Sequence, residues 1–243
     1  MDISILTRYD LKRMFLSMWT YIGILLASAP AIIIFIILLI HQNKTPADGL
    51  VVIITPLISI VGMLAIVKTI TRDFSQETIE LILNKKDNRL RYLVGKLLSI
   101  TLIALIFTPL PYVISGVLYL FLNKGAGLDW TTCGHNCLIS MLMYLCLGLL
   151  FYILIMLVKQ PSLIYTLTIL VLLGSPILPL LGLVSPKISE VINFMTHYVP
   201  YVYLPINLYK GSGDLTAVQG LISIGLIVLL IIGSTWITQR RNI

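Results

Sequence analysis

Charged residues are scarce in this chain, and their scarcity excludes a soluble globular protein. Only 11% of the 243 residues are charged, whereas 58% are hydrophobic, and the mean hydropathy is +1.00. Several uncharged runs reach the length of about 20 residues at which an apolar helix crosses the ~30 Å hydrocarbon core of a bilayer. These runs lack the alternation of apolar and polar residues that a transmembrane β-barrel shows. The sequence therefore predicts an all-α polytopic membrane protein.

Catalytic and coupling motifs are also missing. The P-loop pattern GxxxxGK[ST] does not occur, since Gly95-Lys96 is followed by Leu97 and lacks the upstream glycine. There is no HExxH motif, and the predicted span interiors contain no Asp, Glu or Arg. Lys68 and Lys96 lie at predicted span ends, where we expect them to snorkel towards the interface. These absences predict a chain that is not an enzyme, carries no cofactor and is not an ion-coupled carrier.

Cysteine and histidine are few, with three of each. Three cysteines do not make a disulfide framework. The string Cys133-Gly-His135-Asn-Cys137 offers three ligand types in five residues, which suggests a metal site. Two small thiols and a lone imidazole at the start of a membrane span are more commonly ordinary interfacial residues. We therefore predict no metal site here.

The apolar runs predict six membrane spans in a single domain, residues 1–243. An interfacial helix precedes the spans, and short external helices, re-entrant or interfacial, separate the last two. The predicted spans are 19–40, 50–68, 92–122, 136–158, 162–182 and 217–236, with the interfacial helix at 1–18 and the external helices at 183–213.

Prolines and tyrosines in the later spans are candidate hinge or gate residues. Proline removes a helical hydrogen bond and kinks or breaks a helix. Structural kinks and an aromatic interface belt are the competing interpretations of these residues. The candidates are Pro109 and Pro111 in the third span, Pro176 and Pro179 in the fifth, and Tyr198, Tyr201 and Tyr203 after it.

Lysine and arginine are distributed unequally between the two predicted sides of the membrane. With six spans, thirteen of the 17 basic residues fall on the side of the termini and four on the other. Because cytoplasmic loops carry the excess of basic residues, both termini are predicted to be cytoplasmic. The same distribution explains the net charge of +7 without nucleic acid as a partner.

Residues 68–96 are the one long polar interruption, and they hold seven basic and four acidic residues. A cytoplasmic helix is predicted inside this segment, over residues 72–84. Asp73 would cap it, with Gln76 completing a capping box. The carboxylates of Glu77 and Glu80 then share an outward face, suited to binding a partner. A solvated loop is the alternative interpretation.

This segment contains the pattern Arg72-x-Phe74-x-x-x-Thr78-x-x-x-Ile82, followed by a basic tract and by Gly95-Lys96 at the start of span three. The pattern resembles that of ABC-2-type transporter permeases. Those proteins also have six spans, a cytoplasmic N-terminal helix and an interrupted region before the last span. This sequence has Gln76-Glu77-Thr78 where Glu-x-Gly-Thr is commoner in the family.

The resemblance implies a bacterial plasma-membrane permease that pairs with a second permease, identical or related, and docks a separate cytoplasmic ATPase. ATP and Mg²⁺ would bind that partner. Residues 3–16 would be an elbow helix, and the helix at 72–84 would couple ATPase to permease. The coupling residues would be Asp73, Phe74, Glu77, Thr78, Ile79, Glu80 and Ile82.

The substrate that the resemblance implies is an amphipathic or hydrophobic peptide, such as a toxin or antimicrobial peptide. Small stand-alone permeases of this kind resemble exporters of phenol-soluble modulins and lantibiotic immunity pumps. Two alternatives stay open from the sequence. One is a permease for lipid or polysaccharide export, and the other is a membrane anchor or assembly protein that transports nothing.

Overall fold

All regular secondary structure in the described part of the chain is α-helical. The computed structural model describes residues 2–41, 47–76, 86–122, 129–183 and 185–240. These residues form eleven helices: α1 (Ile3–Leu16), α2 (Met18–His41), α3 (Ala47–Ser75), α4 (Lys86–Phe107), α5 (Leu110–Leu122), α6 (Trp130–Val158), α7 (Pro161–Gly174), α8 (Leu178–Leu181), α9 (Pro186–Tyr198), α10 (Pro200–Lys210) and α11 (Ala217–Arg240).

Five segments among the described residues are long and apolar enough to cross a membrane, so the chain is a polytopic membrane protein. They are Met18–Ile40, Gly49–Ser75, Asn88–Phe121, Trp130–Val158 and Ala217–Arg240.

The predicted fifth span, 162–182, does not form one membrane-length helix. Its residues lie in α7, in a turn and in the four-residue α8. The 14 residues of α7 reach only about 21 Å at 1.5 Å per residue, short of the ~30 Å core. The helix ends where Gly174 precedes a turn, and Pro176 lies inside that turn. Proline and glycine therefore shorten this segment more than hydropathy alone indicates.

The helices are arranged around α3 and α6. In α3, 61% of the most apolar stretch is buried, and in α6, 56%, whereas only 22% is buried in α2 and 17% in α11. α3 contacts α2, α4, α5, α6 and α7, and α11 packs mainly on α6. The two peripheral helices therefore present most of their apolar surface outward, as lipid-facing helices do.

The third predicted span, 92–122, is interrupted at the prolines. α4 ends at Phe107, Thr108 and Pro109 form a turn, and α5 begins at Leu110. A proline interrupts the helical hydrogen-bond ladder, and here the backbone N–H of Tyr112 bonds to the Pro109 carbonyl. The predicted break near the middle of this span is confirmed.

The segment predicted as external helices, 183–213, divides into two different environments. α9 lies mostly exposed, whereas α10 is buried from Val202 to Leu208 and packs on α6 and α3. The Tyr203 hydroxyl donates to the Gln219 carbonyl at 2.7 Å and lies 2.6 Å from the Ser223 hydroxyl. An aromatic-belt position for Tyr203 is therefore wrong, because this side chain is enclosed between α10 and α11.

A close contact at Gly62 joins three helices at the centre of the bundle. A Cβ atom at this position of α3 would lie 2.5 Å from the Tyr144 hydroxyl of α6 and 2.8 Å from Cγ of Phe107 in α4. It would also lie 2.9 Å from the Phe107 Cβ, which side-chain rotation leaves almost unmoved. Only glycine lets the three helices approach this closely.

We predict that Gly62→Ala destabilises the protein by about 1–3 kcal/mol, because the added methyl group overpacks the core. Thermal unfolding in mild detergent measures the effect. Gly225→Ala is the matched control, since a Cβ at Gly225 of α11 meets nothing within 4 Å. Equal unfolding temperatures for the two variants would contradict this packing.

Candidate functional site

The N-terminal helix α1 lies against α4 through a polar contact surface. Asp2 caps α1 by accepting a hydrogen bond from the Ser4 N–H at 3.1 Å. Thr7, Asp10 and Met14 form its buried face. The buried face is therefore polar in its middle, at Asp10, while Arg8, Lys12 and Arg13 are exposed. α1 spans residues 3–16, the range implied for an elbow helix.

Four charged side chains from three helices meet behind this surface and form what we term the charge cluster: Asp10 of α1, Arg72 and Asp73 of α3, and Lys96 of α4. The Lys96 ammonium lies 2.9 Å from Asp10 Oδ2 and 2.8 Å from Asp73 Oδ2. An Nη atom of Arg72 lies 3.0 Å from Asp10 Oδ1 and 3.5 Å from Asp73 Oδ1. Each carboxylate thus contacts both cations, and the cluster has no net charge.

Lys96 is completely enclosed. Its side chain has 0% exposure, and its ammonium group donates hydrogen bonds to Asp10 Oδ2 at 2.9 Å and to the Thr69 carbonyl at 3.0 Å. The ion pair with Asp73 adds a third oxygen beside the ammonium group. The expectation that Lys96 snorkels to the interface is therefore wrong, because two carboxylates and a carbonyl inside the bundle replace water. Lys68, in contrast, is exposed and donates to the Ser17 hydroxyl.

Hydroxyl groups of α4 complete the cluster. The Tyr92 hydroxyl donates to Asp73 Oδ2 at 2.9 Å, and the Ser99 hydroxyl donates to Asp10 Oδ2 at 3.0 Å. Arg72 Nε is buried and has no hydrogen-bond partner among the described residues. Buried charges are tolerated when they are paired and hydrogen-bonded in this way. The cluster therefore fixes α1, α3 and α4 relative to one another.

The cluster changes the interpretation of Asp73. This residue was predicted to cap a separate helix over 72–84, but it lies in the last turn of α3, which continues to Ser75. Its carboxylate contacts Lys96 and accepts a hydrogen bond from the Tyr92 hydroxyl, both in α4. Phe74 is half-buried against the core. The other predicted coupling residues lie outside the described residues: Glu77, Thr78, Ile79, Glu80 and Ile82.

The predicted hinge and gate residues lie on several different elements. Pro109 lies in the break between α4 and α5, and Pro111 in the first turn of α5. Pro176 lies in the turn after α7, and Pro179 in α8. Tyr198 ends α9 with its ring exposed, whereas Tyr201 and Tyr203 belong to α10. Their roles as hinges or gates stay predictions.

The Cys133, His135 and Cys137 string is helical, and the helix separates its ligand types. Two residues of an α-helix turn through about 200°, so His135 faces away from both cysteines. Its Nδ1 lies 2.9 Å from the Thr131 carbonyl, while Cys133 packs with Val51. In the described part of the chain, no three His, Cys, Asp or Glu side chains are grouped so that they could hold a metal ion.

Sequence reasoning missed Asp10, Tyr92 and Lys96 as members of one site. Asp10 and Lys96 are 86 positions apart, and no local pattern joins them. A usable signal was present, because an ionisable residue inside an apolar run normally has a partner of opposite charge. Asp10 is the one acid among residues 3–18, which otherwise carry the basic residues Arg8, Lys12 and Arg13.

Comparison of this chain with protein-family models and with curated protein sequences finds no significant match.

We predict that Lys96→Met destabilises the protein by about 3–5 kcal/mol, because it leaves two buried carboxylates with one cation. The double variant Lys96→Met with Asp10→Asn should recover a large part of this loss, since Asp73 and Arg72 then balance. Thermal unfolding in detergent is measured for Lys96→Met, for Asp10→Asn and for the double variant. Together with the unmodified protein, these variants complete a double-mutant cycle. Lys187→Met, at an exposed lysine of α9, is the control. Additive effects would contradict the described pairing.

Proposed function

We propose that this chain is the transmembrane permease subunit of an ATP-driven exporter of the ABC-2 type, with ATP hydrolysis on a separate chain. The observation that carries the proposal is that the helices on both sides of the polar segment 77–85 meet in the charge cluster. The helix before it, α3, ends at the charge cluster, and the helix after it, α4, enters the same cluster ten residues later. A partner that displaces this segment would therefore move α3, α4 and α1 together.

Coupling requires such a rigid connection. Energy from ATP is released in a cytoplasmic partner, and only a mechanical link carries it to the membrane helices. The pairs of Lys96 with Asp73 and Asp10 bridge three elements at 2.8–2.9 Å. In the proposed cycle, ATP binding closes the ATPase pair, and the segment that bears Glu77 and Glu80 transmits the movement. The resemblance at Arg72, Phe74 and Gly95-Lys96 supports the same role.

The proposed topology has six spans with both termini in the cytoplasm of a bacterial cell. Five of the spans correspond to the five membrane-length segments. The sixth would consist of α7 extended by the turn and α8, as an interrupted span beside α3. The unequal distribution of lysine and arginine supports this orientation. A second permease, identical or related, would pack on the outward apolar faces.

The proposed substrate is an amphipathic or hydrophobic peptide that leaves the cell or the membrane. Outside the charge cluster, the core of the bundle consists largely of apolar and aromatic side chains. A path that opened between such helices would suit a peptide with an apolar face better than a hydrophilic solute. A lipid shares that property, which keeps lipid-type substrates within the proposal.

A non-transporting membrane anchor is the second candidate, and the rigidity of the charge cluster is the observation that favours it. A cluster that fixes three helices relative to one another is as useful in a static membrane anchor as in a transporter that moves. The two functions differ in their partner: the transporter requires a P-loop ATPase, whereas an anchor does not.

We predict that a P-loop ATPase co-purifies stoichiometrically with the full chain from mild detergent. Glu80→Arg should abolish this association and uncouple ATP hydrolysis from transport while leaving membrane insertion intact. The reason is that reversing one member of an interface charge pair costs about 2–5 kcal/mol. Glu190→Arg makes the same charge change in exposed α9 and should retain the ATPase.

The same purification tests the alternative. If membranes that contain such an ATPase yield this chain without it, the transporter proposal is overturned and the anchor becomes the better explanation. Retention of the ATPase by Glu80→Arg, with normal transport, would overturn the assignment of this residue alone.

A further inference from the structure

A cavity of about 440 Å³ opens between α1, the start of α2 and the end of α3. It lies beside the charge cluster, and Asp10 and Arg72 form part of its wall. Arg13 of α1 and Lys68 of α3 complete its charged lining, with Ser17 at the junction of α1 and α2. Three cations and one carboxylate thus surround a single space.

The charges around this cavity are not balanced. Both oxygens of Asp10 are occupied, one by Arg72 and the other by Lys96. Among the described residues, neither Arg13 nor Lys68 has a carboxylate oxygen within 4.0 Å. The cavity therefore holds an excess of two positive charges beyond the neutral charge cluster.

Neighbouring groups hold these cations in position. The Arg13 guanidinium lies 4.8 Å from the centroid of the Tyr9 ring, and the Arg72 guanidinium lies 5.0 Å from the same centroid. The Lys68 ammonium donates to the Ser17 hydroxyl at 2.9 Å, which leaves two of its three donors for a ligand. A ligand with several acceptor oxygens and a negative charge suits this arrangement.

The cavity opens where the chain passes from α1 into its first membrane-length helix. Leu16 lines it, and Met18 and Trp19 follow next to the lining residue Ser17 in the chain. The exposures of these three apolar side chains are 72%, 74% and 76%. Tryptophan is enriched at membrane–water interfaces, where its ring reaches both phases. A basic cavity bordered by exposed apolar side chains matches a molecule with an anionic head and an apolar tail, whereas a free phosphate would leave the apolar border unused.

We propose that this cavity binds the headgroup of an anionic phospholipid, with the phosphate between Arg13 and Lys68 and an acyl chain along Leu16, Met18 and Trp19. Basic pockets between transmembrane helices are known to take anionic headgroups in this way. The lipid would hold the junction of α1 and α2 against the end of α3. This inference does not depend on the transport proposal, since an anchor would use the same site.

Lipid titration of the detergent-purified full chain, monitored by native mass spectrometry, tests the proposal. Dioleoyl phosphatidylglycerol should bind in preference to dioleoyl phosphatidylcholine, and added salt should weaken its binding. Arg13→Gln with Lys68→Gln should reduce the affinity for phosphatidylglycerol roughly thirtyfold, from the contribution of two basic residues near a lipid headgroup. Arg13→Lys with Lys68→Arg keeps both charges and should retain binding.

Arg8→Gln with Lys12→Gln is the matched control, because these residues are exposed on the same helix and do not line the cavity. The control should keep the affinity within about twofold. Equal binding of the two lipids, or equal losses in the control and cavity variants, would overturn the site. Soluble glycerophosphoglycerol, the lipid headgroup without its acyl chains, serves as the reference competitor, and millimolar inorganic phosphate should not displace the lipid. If phosphate displaces the lipid as effectively as glycerophosphoglycerol does, the site binds free phosphate and the lipid assignment is overturned.

Discussion

The ammonium group of Lys96, enclosed between the carboxylates of Asp10 and Asp73, is the constraint on which this end of the molecule depends. Placing four ionised groups in a low-dielectric interior costs several kilocalories per ion unless each finds opposite charge and hydrogen bonds. Here the charges sum to zero, and the Lys96 ammonium lies against two carboxylates and the Thr69 carbonyl. Because the partners come from α1, α3 and α4, the electrostatic requirement fixes the positions of three helices. The N-terminal helix is thereby part of the bundle, although its sequence looks like a peripheral segment.

The same pairing explains the uneven charge around the neighbouring cavity. Asp10 could balance Arg13 or Lys68, but the more deeply buried Lys96 and the partly buried Arg72 take both of its oxygens. A buried cation without a partner is far more costly than an exposed one, so the exposed cations are the ones left without a carboxylate. Their positive charge is then directed to the interface, where headgroup phosphates are available. The pairing of Asp10 with Lys96 and Arg72 therefore both forms the charge cluster and leaves the cations of the proposed lipid site without a carboxylate.

Hydropathy and proline positions predict much of this fold. Contacts between residues that are remote in the sequence could not be predicted from local patterns. The all-helical membrane class and the break at Pro109 follow from local sequence, because each depends on neighbouring residues. The range 3–16 for the first helix is what the family resemblance implies. The span at 162–182 was overestimated, since hydropathy counts apolar residues and does not register how Gly174 and Pro176 end a helix. The position of Lys96 was misjudged because its partners are remote in sequence, and a lysine near a span end normally reaches water.

The length of helix between the charge cluster and the proline break determines which helices could move together in this fold. Lys96 and the break at Thr108–Pro109 are separated by about 18 Å of continuous helix at 1.5 Å per residue. Because α4 is uninterrupted over that length, a displacement applied at the cluster would be passed along it to the break. Beyond the break, α5 has its own hydrogen-bond ladder and can take a different direction. If the chain is a transporter, the hinge prediction at Pro109 and Pro111 implies that the helices joined at the cluster would move as one body and that the angle of α5 to them would change.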